Sequence, residues 1–281
     1  DETSPLEELQ DRCMQAVMNA CQGKQWQMTE SCKTELSELT DKQGKSLLMR
    51  AIELKDDRIV EEFVCRGIAL SVKDRSNNTA LHYAAKSGVK QFIELLLPHC
   101  SLDARNASGD TPFDLAKTAQ KAHVFVNTIL SKAACFLITT NRTDAYSMLE
   151  HLLPILEKNY GKEHKKVGEC LNLLGENYYR RHQFAEALDA LNRAREIPGF
   201  ATYLVIIGEC YYKTQEYRKA IEVLEQLVIP HGEYNRLAKY EYLLGKCYQK
   251  VGEMTKAEEC FSKARDYRDQ ERYYKLREKL Y

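Results

Sequence analysis

Excess charge of either sign is missing: 41 Lys and Arg stand against 41 Asp and Glu in 281 residues. Nothing in that balance points to a nucleic acid or an anionic membrane as partner. Long apolar runs are missing too. A membrane span needs about 18 or more consecutive apolar residues, and no such stretch occurs. The opening DETSPLEELQDR lacks the basic start and apolar centre of a secretory signal. The ten cysteines, at 13, 21, 32, 65, 100, 135, 170, 210, 247 and 260, include no CxxC pair and no closely spaced Cys/His quartet. Their scatter argues against a disulfide framework and against structural zinc. Reduced, mostly buried thiols and a cytoplasmic location are the expectation. A chain that starts at Asp1 rather than Met is compatible with a segment of something longer.

Signatures of catalysis are equally scarce. No GxGxxG, GxxxxGK[ST], HExxH or GxSxG run occurs, so phosphate cradles, zinc-protease helices and nucleophile elbows lack local support. Cys32 lies in a loop-like stretch, but a cysteine nucleophile also needs a positioned base and oxyanion donors. No cofactor, metal or catalytic residue is expected. Trp26, the one tryptophan, sits in the polar stretch GKQWQMTE and is read as packing on an N-terminal helix.

Repetition is what the sequence has instead. Gly175, Gly208 and Gly245 are followed three residues later by Tyr178, Tyr211 and Tyr248, twelve later by Ala187, Ala220 and Ala257, and sixteen later by Leu191, Leu224 and Phe261. Two antiparallel helices approach closely only where facing side chains are small, and a mid-helix Gly loses about 1 kcal/mol of propensity that packing has to offset. Each copy therefore reads as a helical hairpin turned at RRHQF, KTQEY or KVGEM. A weaker copy upstream has Ala133, Phe136, Ala145, Leu149 and Leu152 at the same offsets.

This pattern resembles the tetratricopeptide (TPR) repeat, with units near 126, 168, 201 and 238. The stretch LEKNYGKEHKKVGECLNLLGENYY resembles the extended repeats of kinesin light chains. A polar, Tyr-rich capping helix is expected over about 266–281.

The first half has another period. Ser46, Thr79 and Thr111, spaced 33 and 32 apart, are each followed five residues later by Ala51, Ala84 or Ala116 and preceded by Gly44, Asn77 or Gly109. The hydroxyl caps a short helix, and the residue two before it accepts left-handed turn geometry. TALHYAAKSGVKQFIELLL carries the resemblance to the ankyrin repeat most fully; Leu47 and Met49 in the first copy and Asp114 in the third depart from it. The resemblance implies a structural, hydrogen-bonding role for His82.

The expected fold class is all-α: a helical-hairpin repeat solenoid, ankyrin then TPR, elongated and curved. Residues 1–121 form the ankyrin part, with a degenerate cap at about 5–40 and repeats at about 41–121, and residues 122–281 the TPR part. KTAQKAHVFVNTILSKAACFLITT reads as continuous helix running from one pattern into the other.

The TPR resemblance implies that first helices line a concave groove. Its inward positions are Glu169, Asn172, Glu176 and Tyr179; Thr202, Val205, Glu209 and Tyr212; and Lys239, Tyr242, Lys246 and Gln249. Acids lie toward one end and lysines toward the other, with tyrosines as stacking surfaces for a peptide. The five places of the carboxylate clamp that holds chaperone C-termini contain Asn172, Glu176, Ile206, Lys239 and Tyr242, or Leu130, Ala134, Leu173, Thr202 and Ile206, which argues against a chaperone tail. On the ankyrin side Lys42, Gln43, Lys73, Arg75, Arg105 and Asn106 are the weaker candidates for partner contact. The expected function is a non-catalytic scaffold or adaptor with protein or peptide partners. A docking or regulatory arm of a larger enzyme and a bacterial effector acting in a host cell are the alternatives.

Overall fold

The computed structural model describes residues 36–138, 142–198, 203–227 and 234–278. Trp26, Cys13, Cys21, Cys32, Thr202, nearly all of the expected N-terminal cap and the last residues of the expected capping helix lie outside them. The chain forms two compact units, Asp1–Ile155 and Leu156–Tyr281. Among the described residues the regular elements are helices, with one isolated bridge between Thr40 and Ser46.

In the first unit the helices are α1 (Leu47–Leu54), α2 (Asp57–Cys65), α3 (Ala80–Ser87), α4 (Lys90–Leu96), α5 (Pro112–Thr118), α6 (Ala122–Ile138) and α7, which starts at Arg142 and ends at Tyr160 in the second unit. α1, α3 and α5 pack side by side as one layer, and α2, α4 and α6 as a second. The caps explain the starts. Met49 N–H donates to Ser46 Oγ at 3.3 Å. Thr79 and Thr111 each form a capping box, with His82 and Asp114 as the returning side chains. Gly44, Asn77 and Gly109 take φ of +74°, +59° and +82°. Leu47 and Met49, the departures in the first copy, are fully buried.

One expectation is overturned by the turn at Gln120. The continuous helix is broken: α5 stops at Thr118, Gln120 turns left-handed at φ +59°, and Lys121 N–H donates to the Ala116 carbonyl at 2.6 Å. The expected domain boundary at 121/122 falls at the turn just before α6. α6 packs on both α4 and α5 as the second helix of the third ankyrin hairpin, burying Phe125, Val126 and Ile129. The division falls at 155/156, next to Pro154, whose ring removes a backbone donor inside α7.

The second unit continues with α8 (Lys165–Arg180), α9 (Phe184–Arg195), α10 (Leu204–Lys213), α11 (Tyr217–Leu224), α12 (Tyr234–Val251) and α13 (Met254–Glu278). Successive helices pair into hairpins, and the first helices α8, α10 and α12 are neighbours in one layer. The glycines sit where a β-carbon would clash: at Gly208 it would lie 2.5 Å from Leu224 Cδ2, and at Gly245 2.8 Å from Phe261 Cε1; Gly175 meets Leu191 in the same way. The partner of each glycine is thus the residue sixteen on. Ala187, Ala220 and Ala257 are buried beside it. Tyr248 is buried, and Tyr178 and Tyr211 pack half-buried on the same cores. Glu241 takes the position held by Leu171 and Leu204 in the other hairpins and is 8% exposed.

The capping helix is expected to start near 266. α13 runs unbroken through that point, because no Gly or Pro interrupts residues 254–278.

Candidate functional site

The second-unit layer α8–α10–α12 presents most of the residues expected to line a groove. Tyr179 on α8 donates its hydroxyl to Glu209 on α10. Lys246 on α12 reaches back over the Tyr212 ring of α10, with Nζ 5.9 Å from its centroid and 4.9 Å from that of Tyr242. These contacts join the three first helices along one ridge. Burial, and then the bond to the Glu209 carboxylate, push the Tyr179 phenol above its usual range, so it stays a donor at neutral pH. Val205 is half-buried, and Lys239 and Gln249 are exposed. Asn172 is buried in the packing layer of α8, 5% exposed.

The acidic side chains of this face have partners close by. Lys166 Nζ is 2.5 Å from Glu169, and Arg180 is 2.6 Å from Glu176. Around Tyr242, 42% exposed, the chemistry is different. Its ring packs on Phe261 at 5.6 Å between centroids, while Lys246 and Arg268 both stand over it, the Arg268 Cζ at 5.6 Å. Arg268, which comes from the continuous helix α13, was missed in the sequence. Its distance from the repeat pattern hid it.

The ankyrin fingers are built by one device used three times. The side chains of Asp41, Asp74 and Asn106 each accept backbone N–H groups two and four residues on. Neighbouring fingers join through Arg75 N–H to the Gln43 carbonyl at 3.0 Å and Ala107 N–H to that of Ser76 at 2.8 Å. Asn106 is therefore spent on the fold, its amide also donating to Asn78 at 3.0 Å. Lys42, Gln43, Lys73, Arg75 and Arg105 are exposed, Arg105 donating to the Gly109 carbonyl at 2.8 Å.

Beside the fingers lies a polar cleft of about 400 Å³, lined among others by Lys42, Gln43, Lys45, Arg75, Tyr83 and Lys86. Tyr83 donates to Asp74 at 2.6 Å. Burial pushes the Asp74 carboxyl upward, but the bonds from Tyr83, Asn78 and Ser76 outweigh it and hold the group below its usual value. Lys45 pairs with Glu53 at 2.7 Å and lies 5.5 Å from the Tyr83 ring. Tyr83 and Lys86 were missed because they follow the capping motif on α3, and Lys45 because it stands between the turn glycine and the capping Ser46.

His82 is 0% exposed and bonded on both nitrogens, which gives it the structural role the resemblance implied. The thiols divide: Cys170, Cys210, Cys247 and Cys260 are buried, Cys100 half-buried, and Cys65 and Cys135 exposed. Burial pushes Cys210 up to about 12 and Cys247 and Cys260 to about 11, so these are packing groups rather than nucleophiles. Among the described residues no three His, Cys, Asp or Glu gather as a metal site, and no helix is long and apolar enough to cross a membrane.

Family models match in the same order as the helices. The ankyrin-repeat model of three copies covers residues 48–140, and tetratricopeptide-repeat models cover 125–198 and 203–228. The protein is a helical repeat chain, ankyrin repeats followed by tetratricopeptide repeats. Among curated proteins it is similar to ankyrin repeat and IBR domain-containing protein 1 of Mus musculus, 47% identical over 53 residues, and of Homo sapiens, 42% over 60 residues. Those segments are 18% and 21% of this chain but 5% and 6% of the relatives, so the chain spans about a twentieth of the curated proteins it matches. Solved structures similar to it include the kinesin light chain TPR-like repeats of Podosopora anserina, at 16% identity, 79% of this chain, 97% of that chain and a TM-score of 0.45. BtubC of P. vanneervenii is similar at 16% identity, 81% and 93% coverage and a TM-score of 0.48.

Ankyrin and tetratricopeptide repeats are, as families, protein-interaction modules generally without catalysis, which supports a scaffold role and protein partners.

Proposed function

We propose that this chain is a non-catalytic scaffold or adaptor that holds a peptide segment on the α8–α10–α12 ridge, with a second partner at the ankyrin fingers and the cleft beside them. The observation that carries the reading is the ridge itself. Tyr179, Tyr212 and Tyr242 recur on three neighbouring helices, and charged side chains tie one helix to the next without closing the face over. Aromatic surfaces flanked by charges are the residue types that anchor interfaces, and a layer of neighbouring helices offers them to an extended or helical segment. Two binding surfaces on one chain would raise the effective concentration of one partner near the other. Nucleic acid, a membrane and a chaperone C-terminal carboxylate are not the partners on this reading, and the setting is the cytoplasm.

Affinity capture from a cytosolic lysate tests it, comparing the wild-type chain with Tyr179→Ala/Tyr212→Ala/Tyr242→Ala checked for helix by circular dichroism. Partners lost from the folded variant support the ridge. An unchanged partner set moves the function to the ankyrin fingers, and no specific partner sinks the scaffold reading.

A further inference from the structure

Charge on the ridge is unevenly neutralised, and the imbalance identifies a partner chemistry. At the α8 end Glu169 and Glu176 pair with Lys166 and Arg180, and Glu209 accepts the Tyr179 hydroxyl. At the α12 end the cations have no such neighbours. Among the described residues no carboxylate pairs with Lys246, Arg268 or Lys239. Instead, Lys246 lies between the rings of Tyr212 and Tyr242, and Arg268 stands over Tyr242 with Lys246. An aromatic face attracts a cation but leaves its positive charge uncompensated. Two cations sharing one ring also repel each other, so an anion close to the cluster is stabilised by both. Lys239 lies three and seven residues before Tyr242 and Lys246 on α12, the spacing that puts all three on one face.

We propose that this cluster is an anion-accepting pole, and that the segment held on the ridge is an extended peptide with acidic side chains at one end and neutral or apolar residues beyond. The proposal rests on the groove reading above. A long polyanion such as RNA fits less well, because further along the same face it would meet the carboxylates of Glu209, Glu176 and Glu169. A peptide with acids confined to one end meets cations at α12 and α13 and passes the carboxylates with neutral groups. The Tyr212 and Tyr242 rings supply flat apolar surface between the charges. The bound anion is a side-chain carboxylate, which does not require the chain terminus that a carboxylate clamp holds.

The test uses fluorescein-labelled peptides of equal length with a run of aspartates and glutamates, of lysines, or of serines at one end, together with a single-stranded RNA oligonucleotide. Binding to the full chain is followed by anisotropy at fixed ionic strength. The expected result is that the acidic peptide binds most tightly and is weakened about tenfold or more by Lys246→Glu/Arg268→Glu, a difference of about 1.4 kcal/mol. Added salt should weaken it, Tyr242→Ala should weaken it less, and Lys90→Glu on the other unit should leave it unchanged. Lys246→Gln/Arg268→Gln, which adds no acid, should give an intermediate loss with unchanged circular dichroism. Tighter binding of the RNA, or an acidic peptide indifferent to the charge reversal, overturns the proposal. Should the lysine or serine peptide bind best and be lost only from the triple-tyrosine variant, the anion pole falls and the groove reading stands. No binding by any probe overturns both.

Discussion

His82 ties one ankyrin repeat to the next with a single side chain. Thr79 N–H donates to its Nδ1 at 3.1 Å, so the ring proton sits on Nε2, which donates to the Asp110 carbonyl at 3.1 Å. Protonating Nδ1 would destroy an acceptor that the cap needs. Burial, the largest influence, lowers the affinity of the ring for a second proton below its ordinary value of 6.5, against smaller opposing effects of Asp110 and Asp74. The sign follows from linkage. Below about pH 6.5 the unfolded chain binds a proton that the folded chain resists, so stability is full above that pH and is lost as pH falls. Urea midpoints measured from pH 8 to pH 5 should drop more steeply for the wild type than for His82→Gln, which should itself lose about 1–3 kcal/mol at pH 8 through the broken bonds. Parallel pH curves for the two proteins would show that His82 is not the titrating tie. In the third repeat Asp114 performs the capping half of this task, its carboxylate accepting Thr111 N–H at 2.9 Å.

At the scale of helices, the hairpin glycines set how close two elements lie. Adding a methyl group to Gly208 returns about 1 kcal/mol of helix propensity but drives it into Leu224, which is 0% exposed and has no room to swing away. Gly208→Ala should therefore lower stability, since overpacking of this kind costs about 1–3 kcal/mol. In a Leu224→Ala background, itself about 2–5 kcal/mol less stable, the same change should become neutral or stabilising. Additive effects in urea unfolding would mean that the two residues do not touch. The hairpins and caps were legible because each rests on a short-range rule repeated at a fixed offset: Ser46, Thr79 and Thr111 before helices, a glycine sixteen residues before a bulky partner. The break at Gln120 was not, since nothing in the residue type demands the left-handed backbone found there. Arg268 escaped for a related reason. α13 outruns the repeat that the spacing could measure, so its contact with Tyr242 exists only in three dimensions.

For the whole molecule the open question is where the first array ends, and α6 decides it. Residues 125–138 fall within both the ankyrin and the tetratricopeptide matches. A chain cut at 121 would lose Phe125, Val126, Ile129 and Leu130, all buried. It would also strip the cover from α4 and the ring partner of Phe113, whose centroid lies 6.4 Å from that of Phe125. Each such side chain contributes about 1.5–3 kcal/mol by burial, and a domain's whole margin is about 5–15 kcal/mol, so the loss is comparable to the margin itself. Fragment 1–155 should melt cooperatively in circular dichroism, whereas fragment 1–121 should melt far lower or show no transition, with exposed apolar surface that binds a hydrophobic dye. Equal midpoints for the two fragments would assign α6 to the tetratricopeptide hairpins instead. The ankyrin array would then close on α4 and α5 alone, and the packing of α6 on both would be dispensable to its stability.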